Sequence, residues 1–124
     1  METTNTPKII LNLTDIDFTD RQIREVYDED YRLIYPAEPL EFAAKEDEIT
    51  ATYIDCFVQM IQDELNEVPY QPDCVILDVP KQAIPPIASE FIGSNINFIY
   101  TQSTFVKFVD GDILEVKSLR NVEA

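Results

Sequence analysis

The sequence predicts an α/β fold: a mostly parallel sheet with helices on both faces, closed by a C-terminal β-hairpin. Three observations predict it. Strand-like and helix-like segments alternate along the first hundred residues or so. The run "DCVILDV" is apolar almost throughout, as in a central parallel strand covered on both faces. "TFVKFVDGDILEVKSL" sets Asp110-Gly111 between two strand-like runs, which reads as a hairpin with a two-residue primed turn. A length of 124 residues with 45% hydrophobic content fits a single domain, 1–124, built on one core.

Each element has its own local signal. "KIILNL" (8–13) is a short apolar run and reads as the first strand. Thr19 with Gln22 three residues later forms a capping box, so a helix is expected from Asp20, with Ile23 and Val26 toward the core. "YRLIYP" (31–36) is a second strand stopped by Pro36, and the polar, proline-bearing stretch after it is a loop. "DEITATYIDCFVQMIQDELNEV" is the strongest helix signal. Its residues Ile49, Tyr53, Phe57, Met60, Ile61, Leu65 and Val68 recur at helical spacing, and its first turn is expected to hold acids that complement the helix dipole. Pro69 ends it. "PPIASEFIGS" reads as a short helix with proline in its first turn and Gly93 at its C-cap. "INFIYT" is then a fourth strand, separate from the hairpin.

Composition excludes several chemistries. The net charge is −15, from 24 acids and 9 bases, which argues against duplex nucleic acid as a partner. The charge is uneven. Residues 1–67 carry 17 acids and 5 bases (net −12), and residues 68–124 carry 7 acids and 4 bases (net −3). A small anionic ligand held at one local site is not excluded, and the stretch from Cys74 to Phe91 lies at the edge of a nearly neutral surface. There is no histidine, so the commonest general base and every Ser-His or Cys-His nucleophile are absent. With only Gly93 and Gly111, neither a Walker nor a dinucleotide loop exists. The acid clusters at 28–30 and 46–48 lack calcium-loop spacing and read as solvated faces, so no metal site and no cofactor is expected. No 18-residue apolar run and no basic-then-apolar leader are present, so a cytoplasmic protein off the membrane is expected. Cys56 and Cys74 form no CxxC pair and are expected as buried, reduced thiols.

In open α/β sheets ligands sit beyond the carboxyl ends of the strands. Here those ends are Leu13-Thr14-Asp15, Tyr35-Pro36, Val79-Pro80-Lys81-Gln82 and Tyr100-Thr101-Gln102-Ser103. They offer hydroxyls, amides and one lysine. "PDCVILDVP" is also similar to the third strand of a response-regulator receiver domain, with Asp78 as phospho-acceptor, Thr101 as switch hydroxyl and Lys107 as lysine. The paired acids such a site needs after the first strand are not there, and Asp78 is expected to face a helix N-terminus or solvent.

A second likeness spans most of the chain. "ILNLTDIDFTDRQI", "VILDVPKQAIPPIASEF" and the closing "DILEVKSLRNVEA" resemble the small CRISPR-associated accessory proteins of type III systems, a Rossmann-like group related to CARF domains and ring nucleases. In that group an Asn-aromatic-Ser strand end precedes a helix opened by Thr-Pro-x-Gln, and a later strand ends in proline. Here Leu13 replaces the aromatic residue, Asp20 the proline, and Lys81 a glycine that often follows the later proline. The resemblance implies a Rossmann-like, CARF-like domain that binds cyclic oligoadenylate across the two-fold of a homodimer and either cleaves or sequesters it. Cleavage would need no metal: a positioned ribose 2′-hydroxyl attacks the adjacent phosphate. Asn12 and Thr14 match the first motif and Pro80 the later one. Lys81, as the group that stabilises developing charge, and Gln82 would meet the ligand. Gln102 and Ser103 join them on geometry, as the fourth strand-end loop. The alternative reading is an acidic interaction module, an inhibitor or DNA mimic that occupies a basic surface on a partner.

Overall fold

The computed structural model describes residues 7–122; residues 1–6 and the last two residues of the closing stretch lie outside the described part. Five strands form one sheet in the order β2-β1-β3-β4-β5, with β1 (Lys8–Asn12), β2 (Tyr31–Ile34), β3 (Cys74–Leu77), β4 (Asn97–Lys107) and β5 (Ile113–Asn121). The first four strands run parallel and β5 is antiparallel to β4. Three helices connect them: α1 (Asp20–Arg24), α2 (Ala51–Glu67) and α3 (Ile84–Ser89).

The pleat divides the apolar side chains between two faces. Leu11, Val75, Leu77 and Phe98 pack against Ile54, Phe57, Val58 and Ile61 of α2 and Ile84 and Ile87 of α3. Ile10, Cys74, Ile76, Ile99 and Leu119 face the other way, onto Ile23 of α1 and onto Phe18. Helices therefore cover both faces, and β3 is buried along its whole length, as its apolar run implies. Cys74 is buried as expected, but Cys56 is exposed, because it falls off the apolar stripe of α2. Met60 is also exposed, and Ile54 and Val58 take its place in the core.

Local signals set most of the boundaries. The capping box of α1 is complete: the Thr19 hydroxyl accepts from the Gln22 amide, and the Gln22 side chain accepts from the Thr19 amide. α2 starts later than its acids suggest. Thr50 is extended and its Oγ1 accepts from the Tyr53 amide at 3.1 Å, so the helix opens at Ala51 with no acid in its first turn. Glu46–Glu48 instead form a separate 3-10 turn. α3 ends at Ser89, with Glu90 rather than Gly93 at its C-cap; Gly93, at φ +89°, belongs to the turn that follows.

The largest departure is β4. The fourth strand and the first strand of the hairpin are one continuous strand of eleven residues. Nothing between Thr101 and Phe105 breaks an extended chain, and the backbone continues past the end of β3 with β5 as its partner. The hairpin loop is also longer than two residues. The Phe108 amide donates to the Asp112 carbonyl at 2.8 Å, and the Gly111 amide to the Phe108 carbonyl at 3.0 Å. That leaves a three-residue loop, Val109-Asp110-Gly111, with Gly111 in the left-handed region at φ +96°.

Candidate functional site

In this strand order β1 lies between β2 and β3. The chain leaves β1 through α1 on one face and leaves β3 through α3 on the other. The connections thus part above the adjacent ends of β1 and β3, which is the switch-point position where open α/β sheets hold ligands. Asn12 and Thr14 stand at one side of that point, and Pro80, Lys81 and Gln82 at the other.

The two sides differ in chemistry. Asn12 is 0% exposed and both ends of its amide are hydrogen-bonded. Its Nδ2 donates to the Ile16 carbonyl at 2.8 Å, and its Oδ1 accepts from the Thr14 amide at 3.0 Å and the Thr14 hydroxyl at 2.7 Å. The Thr14 hydroxyl in turn accepts from the Ile16 amide at 3.1 Å. These two residues hold the shape of the turn from inside and turn no polar atom outward, so a ligand here would meet the surface they support rather than their side chains. On the β3 side, Pro80 is half-buried and its carbonyl accepts from the Ala83 amide at 2.9 Å, closing the 3-10 turn Lys81–Ala83. Lys81 and Gln82 are exposed. Among the described residues Lys81 forms no ion pair.

Lys81 also opens onto an open groove of about 1110 Å³ that runs between α3 and the β4–β5 edge. Ile84 and Phe98 give its floor apolar surface, and Tyr100, Asn97 and Arg120 add an aromatic ring, an amide and a second cation. Arg120 escaped the sequence reading. Its place follows from the register, which sets it opposite Tyr100. Gln102 does not line the groove, but its Oε1 accepts from Arg120 Nε at 2.9 Å and so orients the guanidinium. Gln102 and Ser103 are not in a strand-end loop; they lie within β4, exposed on opposite faces. The Ser103 hydroxyl donates to Glu115 Oε1 at 2.7 Å across the hairpin. Of the seven residues singled out from sequence, Lys81 alone faces the groove.

Asp78 does not face a helix N-terminus; its side chain is about a third exposed and is held by two neighbouring strands. It accepts from the Thr101 hydroxyl at 2.5 Å and from Lys117 Nζ at 3.0 and 3.1 Å. The lysine is Lys117 of β5; Lys107 lies near the hairpin tip. Asp78, Thr101 and Lys117 share the α1 face, away from the groove. The Cys74 thiol is pushed up to about 11 by burial, with the negative charges of Asp73 and Glu29 adding to it, so it has no thiolate character to offer. No group of three or more metal-ligating side chains occurs among the described residues, and no helix among them is long and apolar enough to cross a membrane. No protein-family model, curated protein or solved structure matches the chain.

Proposed function

We propose that the chain is a Rossmann-like, CARF-like homodimer of the cytoplasm that binds cyclic oligoadenylate, with the Lys81 turn as its phosphate contact. One observation carries this reading. In a chain of net −15, Lys81 stands exposed and free of an ion pair among the described residues, at the switch point and at the mouth of a groove that also holds Arg120. Two cations against one carboxylate, Glu25, in a groove that Tyr100 and Asn97 also line suit a ligand with phosphates, planar bases and hydrogen-bonding edges. The acids of the first half oppose such a ligand only within a Debye length, about 8 Å at physiological salt. No metal or cofactor enters the reading.

The bound ring is either held or cut. In the cut, a 2′-oxygen bonds to the adjacent phosphorus and the bond to the 5′-oxygen breaks. The 2′-hydroxyl loses its proton to solvent and the leaving oxygen takes one up, which gives a 2′,3′-cyclic phosphate. Lys81 would stabilise the charge that builds on the phosphate oxygens. The test is thermal unfolding with cyclic tetra- and hexa-adenylate, followed by chromatography of the nucleotides. A ring at a hundred times its Kd adds about 2.7 kcal/mol, a rise on the order of 10 °C for a chain of this size. Intact ring after incubation identifies sequestration, and a linear product identifies cleavage. Lys81→Ala separates the roles: loss of the shift makes Lys81 a binding residue, and loss of product alone makes it catalytic. If no ring moves the transition, the reading fails.

A second reading, the acidic interaction module, has its own observation. The Glu64 carboxyl on α2 is raised above its usual range by burial and then by the nearby charges of Glu67, Asp63 and Glu38. A surface on which carboxylates crowd one another attracts a basic partner. A salt-sensitive complex with a basic protein, together with indifference to every ring, would select it.

A further inference from the structure

The hairpin is more than the edge of the sheet. β3 ends at Leu77, opposite Tyr100, while β4 continues to Lys107. The seven residues beyond Tyr100 pair only with β5. At about 3.3 Å per residue they form an arm roughly 20 Å long. It rises from the carboxyl-end side of the sheet, the side that carries the Lys81 turn. A two-stranded ribbon is at best marginally stable alone in water.

The surface of the arm is unusual for one that faces water. Of eleven exposed large hydrophobic residues among those described, seven lie between Phe105 and Val116. The register places Phe105 (66% exposed) and Ile113 (65%) on one face. It places Val106, Leu114 (50%) and Val116 on the other, and Phe108 and Val109 stand at the tip. Apolar side chains on both faces mark a strand pair meant to be enclosed.

Charge identifies the occupant. Residues 101–120 hold three bases, Lys107, Lys117 and Arg120, and three acids, Asp110, Asp112 and Glu115. The arm is neutral in a chain of net −15. A basic partner would be drawn to the acids of residues 1–67 instead. Two copies of this chain, each strongly negative, repel least where each is neutral. We infer that the β4–β5 arm is a homodimerisation element that packs against the arm of a second copy about a two-fold axis. Because the arms rise from the carboxyl-end side, their union turns the two Lys81 turns toward one shared space. This last step rests on the ligand reading above and specifies its dimer.

The test uses the full chain. Light scattering and sedimentation equilibrium are expected to give twice the chain mass for the wild type. Phe105→Ser combined with Leu114→Ser is expected to weaken association on the order of 100-fold or more. Circular dichroism should still show the folded α/β core, since both side chains are exposed in the single chain and outside that core. Hydrogen exchange supplies a reading that needs no variant: amides of residues 101–117 should be protected in the dimer and lose protection on dilution. A wild type that stays monomeric, a double variant that stays dimeric, or arm exchange that ignores dilution overturns the inference. Ring binding is scored separately. A monomeric double variant that no longer shifts with cyclic tetra-adenylate supports the shared site, and one that shifts like the wild type overturns it. A wild-type dimer that responds to no ring removes the ligand reading while the arm stands.

Discussion

Asp78 has about a third of its side chain exposed and receives three hydrogen bonds, one from Thr101 and two from Lys117. It joins the end of β3 to both strands of the hairpin. Hydrogen bonds to a charged group contribute more than neutral ones, and removing the acceptor leaves both donors unpaired. Asp78→Ala is therefore expected to cost about 1–3 kcal/mol, read as a lower urea midpoint at unchanged slope. Lys117→Met should cost less than about 1 kcal/mol, because an ion pair this exposed contributes little by itself. An Asp78→Ala midpoint equal to wild type would mean that the cluster pins nothing. The Asp78–Thr101 pairing was not expected: the sequence put Asp78 against a helix N-terminus or solvent, and Thr101 at a strand end rather than inside β4. Nor was the lysine. Choosing Lys117 over Lys107 requires the hairpin register, and that register depends on how far β4 runs, which no residue in "TQSTF" announces. The interior role of Asn12 and Thr14 was equally hidden, because an Asn-x-Thr strand end reads the same whether its side chains turn in or out.

Among the elements, those with a chemical start or stop signal were legible. Thr19 and Gln22 placed α1, Pro69 ended α2, and the apolar run of residues 74–77 placed β3 at the centre of the sheet. Elements bounded by compatible polar residues were not. Acids before α2 looked like a first turn until Thr50 took the cap, and four polar residues after Tyr100 looked like a loop because they continue a strand that nothing covers. The arm also depends on Gly111. At φ +96° an alanine is strained even though its Cβ would meet nothing within 4 Å. Gly111→Ala should therefore act on backbone conformation alone and cost about 1–2 kcal/mol. Gly111→Asn should cost less, since asparagine tolerates that region. If the arm is the dimer contact, the loss should appear in the dimer constant as well as in the melting temperature, with arm amides exchanging faster. Equal stability of all three proteins would show that the loop closes without a left-handed residue.

For the molecule as a whole, the decisive quantity is the sign of its response to salt. Each chain carries −15, with −12 of it in residues 1–67. Folding concentrates that charge, and pairing two chains concentrates it again, so self-repulsion opposes both steps. Salt relieves it: the Debye length falls from about 30 Å at 0.01 M to about 8 Å at 0.15 M. The melting temperature should therefore rise over that range, and the dimer should tighten. A complex between the acids of the first half and a basic partner behaves oppositely, because screening removes the attraction that forms it. Ring binding falls between the two. Salt weakens the contact of Lys81 and Arg120 with phosphate while it screens the acids that repel the ligand, so its net slope should be shallow. Sedimentation equilibrium and thermal unfolding across the two salt concentrations, in sodium and in potassium chloride, measure the dimer and the fold on one sample. Tightening in both salts fits screened repulsion between two like chains. A response to one cation only would point to specific ion binding, and a dimer that loosens as salt rises would mean that opposite charges hold it, contrary to a neutral apolar arm.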